Sequence, residues 1–376
     1  MGGLHSIIER GEFEKLIRSK VWLSLVALML TAMLVLAGCN SSSKSPQEAL
    51  QASMLKSAEL KSYSFDGSMK IEDLKFPAEG DAADAGQMLS MLKDMDLSWT
   101  GVYRADPMHL EMTLTLVLKG DLAVNFNIPI VMEQDKMWVK IPNIPFMPLP
   151  EGMADKFLEL DLKQLAEESG QSMPSIDPGK SQKLVNDLMG IIFKNVDENE
   201  YLSDVKVKEA GLPDGVDAKQ VIRFQVSKDQ VEPFVNTVIE KIAPEIINLL
   251  SGNAEYRDML SLKQEDLDEA KKALEDAKKE DIAEGMDEFK KSVKSLDVVA
   301  NIGIDAKEYP VYSDVHVSTE VDADGQPVTV AFKVVSQTKD INKDVKLEFE
   351  GGPKDVITME QFQQQMGGLF GGLEGL

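Results

Sequence analysis

The chain has 376 residues, with 40 Lys and Arg against 64 Asp and Glu, a formal net charge of −24 and 43% apolar residues. That acidity excludes the basic patch a nucleic-acid partner requires and gives an anionic bilayer surface no electrostatic hold on the protein. A lone cysteine excludes an internal disulfide, so stability has to come from an apolar core, which this length can build as one large domain or two ordinary ones.

The first informative stretch runs from Val21 to Cys39. Fifteen uncharged residues follow the basic Arg18 and Lys20 and end in Leu36-Ala37-Gly38-Cys39, the order of a secretory signal peptide: basic region, apolar region, small residues. The apolar run is short for a bilayer-spanning helix of ~20 residues. Its last four residues resemble the bacterial lipobox, in which a signal peptidase cuts before a cysteine that carries a diacylglyceryl group. Small Ala37 and Gly38 let the protease reach the backbone, and the Cys39 thiol takes the lipid as a thioether. The plainer reading is an ordinary signal peptide with a chance cysteine. Residues 1–38 are therefore expected to be removed; the leader before Val21 is long, and Leu4 to Glu14 reads as a mis-called start that leaves the mature chain unaffected. The mature chain is expected on the extracytoplasmic face of the cell membrane, held through lipid on Cys39. Removal takes away four basic and three acidic residues and leaves a charge of about −25. Two or more acyl chains, at ~0.8 kcal/mol per buried methylene, hold firmly where one binds reversibly.

Residues 39–45 form a polar tether that extends at most ~25 Å. Pro46 suits the first turn of a helix whose apolar stripe is Leu50, Met54, Leu55 and Ala58. The period then changes from 3.6 to 2. Tyr63, Phe65, Met69 and Ile71 alternate with serines and lysine, and a short helix at 88–92 separates this strand from one at 97–104. The next two are the clearest: Met108, Leu110, Met112, Leu114, Leu116 and Leu118, then Leu122, Val124, Phe126, Ile128, Ile130 and Met132, each alternating with polar residues. A strand at 136–141 completes an antiparallel meander with one apolar and one wet face. The proline-rich run 141–150 cannot be a central strand, because proline removes ladder donors.

Helices are expected at 156–168 and 181–194 and strands at 203–209 and 219–227. The most apolar helix covers 229–250, with Phe234 and Ile242 in its stripe and a kink at Pro244. Residues 263–294 hold 19 charges in 32 positions, with opposite charges at i,i+4 spacing, and Gly285 should split them into two helices. Strands follow at 296–306, 309–322, 328–338 and 344–350, with Asp324-Gly325 as a hairpin turn. A weak helix at 354–366 and a glycine-rich tail end the chain.

About eleven strands in one sheet must curl, because neighbours twist by roughly 20–25°. The expected fold class is α+β: a large curled antiparallel half-barrel whose apolar concave face is covered by the helices at 46–60, 184–192 and 229–250. It spans 46–352, with a charged helical insertion at 254–294 and a separate end piece at 353–376. This order of elements resembles the LolA/LppX-like lipoproteins, lipid carriers and Gram-positive relatives of unassigned function. The likeness rests on Leu36-Ala37-Gly38-Cys39, on Leu60-Lys61-Ser62-Tyr63-Ser64-Phe65 after the opening helix, and on the closing strands around Tyr309-Pro310-Val311-Tyr312, Asp324-Gly325-Gln326-Pro327 and Asp340-Ile341-Asn342-Lys343. The resemblance implies a cavity for a lipid-like ligand; the charged insertion departs from the pattern.

Seventeen of the 20 methionines lie in the mature chain. Met69, Met108, Met112, Met132 and Met137 fall on inner strand positions, where a flexible thioether suits varied contents or serves as ordinary core filler. The apolar Ile144, Phe146, Met147 and Leu149 form either a lip touching an acyl chain or a loop packed over the sheet's edge. With Met112, Phe126, Phe234 and Ile242 they are the candidate hydrophobic-ligand residues. His109 and His316 sit on the polar phase of strands and are expected to be solvated. No nucleophile elbow, zinc-helix or phosphate-loop spacing occurs, and Asp322-x-Asp324-Gly325 reads as a turn rather than a calcium loop. Neither catalysis, a cofactor nor a metal site is expected. The expected activity is binding or transfer of a hydrophobic molecule beside the membrane. The alternative is a solid surface scaffold that meets a protein partner through the charged helices 254–294.

Overall fold

The computed structural model describes residues 44–75, 93, 95–119, 124–143, 149–150, 152–168, 178–276, 279–323 and 325–370. The chain opens with helix α1 (Pro46–Ser57). Ser45 caps it, accepting from the Glu48 amide while the Glu48 carboxylate accepts from the Ser45 amide, which satisfies two of the end's free donors. Ala49, Leu50, Ser53 and Met54 form its buried face, whereas Leu55 points outward.

Strands β1 (Ser62–Lys75), β2 (Met95–Ala105), β3 (Met108–Leu118), β4 (Val124–Glu133) and β5 (Lys136–Lys140) follow as an antiparallel meander. Then come β6 (Phe157–Asp161), the helices α2 (Leu162–Glu168), α3 (Pro178–Asn195) and α4 (Glu198–Tyr201), and β7 (Leu202–Val205) and β8 (Gln220–Ser227). A continuous helix runs from α5 (Lys228–Thr237) through a π turn at Val238–Ile242 into α6 (Ala243–Gly252). The π turn is how the chain accommodates Pro244. A proline has no N–H to donate and its ring crowds the carbonyl four residues back, and widening the preceding turn relieves both. Beyond lie α7 (Ala254–Met259), α8 (Gln264–Asp276), α9 (Lys279–Ser292), the long strands β9 (Val293–Ile304), β10 (Pro310–Ala323) and β11 (Gln326–Lys339), and finally β12 (Val356–Thr358) and α10 (Met359–Phe370).

All twelve strands belong to one open, curled sheet in the order β12-β6-β5-β4-β3-β2-β1-β11-β10-β9-β8-β7, antiparallel except where β12 meets β6. The α+β half-barrel therefore stands, with local corrections: the end piece expected at 353–376 joins the sheet through β12, where a helix was expected from 354, and the strand expected at 203–209 ends at Val205. The helix expected at 156–168 begins as strand β6, since Phe157, Leu158 and Leu160 suit either period and pairing with β5 decides. The break expected at Gly285 does not occur there, because Gly285 lies inside α9. The strand expected at 344–350 is not a strand.

That last segment is a strap. It leaves the end of β11 and crosses the outer face of the meander to deliver the chain to β12 at the far edge. Asn342 fastens its start, donating its amide to Ser62 O (2.7 Å) and accepting from the Lys61 amide (2.7 Å). Midway, the Glu111 carboxylate accepts the amides of Glu348 (2.8 Å) and Phe349 (2.7 Å). Phe349 then packs against Val131, Trp138 and Phe157, edge-on to the Phe157 ring at 5.3 Å. The alternation of Val345, Leu347 and Phe349 with Lys346, Glu348 and Glu350 mimics a strand, but at Glu111 its amides find a side-chain carboxylate instead of a neighbouring ladder.

His109 lies beneath this strap, 1% exposed, and is the clearest departure from expectation. Its Nε2 faces Glu111 Oε1 (3.0 Å) and its Nδ1 faces Glu133 Oε1 (3.2 Å). The polar phase of β3 is dry at this end because the strap roofs it. Farther along the outer face, Trp138 Nε1 donates to Glu159 (2.8 Å), and Lys136 beside Glu159 holds that carboxyl below its ordinary range. Replacing Glu111 by Ala leaves two strap amides without an acceptor, an expected loss of about 2–3 kcal/mol. Urea unfolding checks the size, and faster hydrogen exchange at Glu348 and Phe349 checks the location; unchanged exchange there contradicts the latch.

Candidate functional site

Strand pairing decides which side chains share a face. Phe65 opposes Gly101, Gly67 opposes Trp99 and Met69 opposes Leu97 across β1 and β2; Leu97 and Trp99 oppose Leu116 and Leu114; these oppose Phe126 and Ile128. On the other side of β1, Met69 and Ile71 oppose Val334 and Phe332. The result is one continuous inner face. From β10 through β4 it carries no carboxylate, ammonium, guanidinium or imidazole among the described residues.

The helices close only one part of that face. Helices α1, α3, α4 and α5 and the π turn pack Leu50, Met54, Met189, Ile192, Phe193, Tyr201, Phe234 and Ile242 against Ile222, Phe224, Val226, Ala300 and Ile302 of β8 and β9. Tyr201 lies in this core, where burial pushes its phenol up. At the opposite end, Leu149 and Phe362 of α10 pack with Ile141, Met153 and Ile357 beside β6. Among the described residues no helix makes an extended contact with β1–β4 or β11. On the inner positions of β1–β4, Phe126 is buried, while Phe65, Trp99, Met112, Leu114, Ile128 and Ile130 keep part of their surface free.

Two glycines shape this open trough. The Trp99 indole lies across Gly67 and the Phe65 ring across Gly101, so close that a Cβ on either glycine collides with the ring. The rings consequently lie down along the sheet instead of standing up from it, which lines the floor of the trough with flat aromatic surface. A β-carbon at Gly101 also strikes the carbonyl oxygen of Glu111.

The sequence-predicted residues separate accordingly. Met112 and Phe126 belong to the trough, as do Met69, Met108 and Met132, with Met137 continuing the same face on β5. Phe234 and Ile242 do not: they are 4% and 0% exposed and fill the helix-covered core. Leu149 packs at the β6 end. Ile144, Phe146 and Met147 lie outside the described residues, as do Leu36, Ala37, Gly38 and Cys39 and the helix expected at 88–92. Sequence reasoning missed Phe65, Trp99, Gly67 and Gly101 as a set. The available signal was two glycines on the apolar phase of adjacent strands, each facing an aromatic residue.

A second concavity, about 580 Å³, lies on the outer face beneath the strap, lined by Ser64, Asp66, Thr100, Glu111, Lys346 and Phe349 among others. Two of its acidic groups are already engaged. Both Glu111 oxygens hold the strap and His109, and Asp66 pairs with Lys339. His316 pairs with Glu72 (3.0 Å), and the Asp322 carboxylate accepts from the Gly325 amide (2.7 Å) in the β10–β11 hairpin. No group of three or more potential metal ligands occurs among the described residues.

The charged segment is joined to the body. Helix α8 sets Leu267, Ala270 and Leu274 against Leu250 and Tyr256, and burial together with Asp187 pushes the Tyr256 phenol up to about 12. Lys290 of α9 pairs with Glu232 of α5 (2.7 Å). No described helix is long and apolar enough to cross a membrane. No family model, curated protein or solved structure matches the chain.

Substituting Gly101 by Val should force the Phe65 ring off the sheet and break the trough floor. The expected cost is about 1–3 kcal/mol of overpacking strain, read as a lower midpoint in thermal unfolding. An unchanged midpoint contradicts the close approach.

Proposed function

We propose that this protein is a membrane-anchored extracytoplasmic lipoprotein whose half-barrel binds or passes on a hydrophobic molecule along its inner face. The observation that carries this reading is the uncharged, aromatic-floored trough on β1–β4 and β11, which lies beyond the reach of the helices that cover β8 and β9. Phe65, Trp99, Met112, Leu114, Ile128 and Ile130 are neighbours there and only half-buried, and contiguous apolar surface of this kind marks interaction sites. Enclosing one acyl chain there removes methylenes from water at ~0.8 kcal/mol each, which is enough to hold a lipid without covalent chemistry. The signal-like leader, the Leu36-Ala37-Gly38-Cys39 sequence and the resemblance to LolA/LppX-like lipoproteins support the anchored location.

Native mass spectrometry of the protein extracted from its own host should show a non-covalent adduct of lipid mass, and Leu114→Asp should lose it. Only the bare polypeptide mass, with no lipid recovered on extraction, contradicts the reading. The anchor has its own test. Cys39→Ser should leave the protein unprocessed or shed, and a variant that remains membrane-bound at the mature mass rules out lipidation at Cys39.

A further inference from the structure

The trough has two chemically different ends. Toward the start of β1, the inner positions are Tyr63, facing Tyr103 across the β1–β2 pair with ring centroids 5.1 Å apart. On the other flank, Thr338 opposes Phe65, Ser336 opposes Gly67, and Ser313 of β10 opposes Ser336. Five hydroxyls are thus gathered at one end of the inner face. None of them has a hydrogen-bond partner among the described residues. Burial and the neighbouring Tyr103 hold the Tyr63 phenol above its ordinary value, so near neutral pH it is an uncharged donor.

Toward the end of β1 the inner positions change character. Met69, Ile71 and Leu74 lie beside Leu97, Leu116, Phe332 and Val334, without a polar atom in their side chains apart from methionine sulfur. From Gly67 to Leu74 the strand covers ~23 Å at about 3.3 Å per residue. One leaflet contributes half of the ~30 Å hydrocarbon core of a bilayer, or ~15 Å per chain, so an extended acyl chain fits along this floor.

Charge then separates the ligand classes that share an acyl chain. Among the described residues, a carboxylate or phosphate head placed on this face meets no cation from β10 through β4, and its desolvation goes unrepaid. An uncharged head with hydroxyl and ester oxygens loses far less on leaving water and finds donors and acceptors waiting. Resting on the hydrophobic-ligand reading above, we infer that the ligand is an uncharged glycerolipid of the monoacylglycerol or diacylglycerol class. Its hydroxyl-bearing head sits against Tyr63, Tyr103, Ser313, Ser336 and Thr338, and its chain runs along Met69, Leu97 and Leu116.

The test compares two probes with the same tail, monooleoylglycerol and oleate, titrated calorimetrically into the full-length, delipidated protein at neutral pH. Monooleoylglycerol should bind at least tenfold tighter. In a Tyr103→Phe, Ser336→Ala double variant the ratio of the two affinities should fall to near one. Because neither change alters the trough's apolar floor, a circular-dichroism melt identifies a variant that has merely unfolded, and the single Ser336→Ala variant then gives the ratio. Equal binding of both probes by the unaltered protein overturns the headgroup inference and leaves the hydrophobic-ligand reading standing. Binding of neither probe overturns both.

Discussion

Alternation across paired strands is the constraint on which the rest of this structure depends. Once β1, β2, β3 and β4 pair in the observed register, every leucine, methionine and isoleucine of their apolar phase must emerge on one side. A slip of one residue in any strand sends its apolar set to the opposite face. The sheet is twelve strands wide, and α1, α3, α4 and α5 gather at the β7–β9 end, where they build the main core around Phe224, Ile302 and Phe234. Among the described residues, the sheet is wider than its helices cover, and the trough lies on the part they leave. The flattened Trp99 and Phe65 rings turn that surplus into a shaped surface.

The outer face meets the opposite requirement, because its polar phase is partly taken out of water. The strap runs from the centre of the sheet to its far edge and carries Phe349 into the outer cluster with Val131, Trp138 and Phe157. It passes over His109, which becomes the most deeply buried polar ring in the described chain. Glu111 joins these two features, since the same carboxylate receives the strap amides and faces the imidazole. Carrying the chain to β12 in this way also makes Val356–Thr358 part of the sheet, pairing alongside β6.

Much of the fold was legible in the sequence, for a clear reason. β3 and β4 alternate without interruption, and the stripe through Phe234, Val238 and Ile242 is a helix by its spacing alone. The sheet's curl follows from strand number. What could not be read was non-local. Whether Phe157-Leu158-Glu159-Leu160 forms a strand depends on a partner in β5, and whether 344–350 joins a ladder depends on whether an edge is free. His109 looked solvated because alternation identifies a face without saying what crosses it. In the same way, Phe234 and Ile242 were grouped with the ligand residues because a period reveals an apolar stripe but not which strands it covers. The glycine–aromatic pairs were visible as residues, yet their close approach exists only once the register is known.

A hydrophobic ligand is proposed to lie along the inner face of β1–β4. The most direct measurement is photocrosslinking with an amphiphile that carries a diazirine along its acyl chain, followed by peptide mapping of the adducts. Adducts concentrated at Leu97, Trp99, Leu114, Leu116 and Ile128 are the predicted result. Adducts confined to the outer face, the exposed helix surfaces or the leader contradict it.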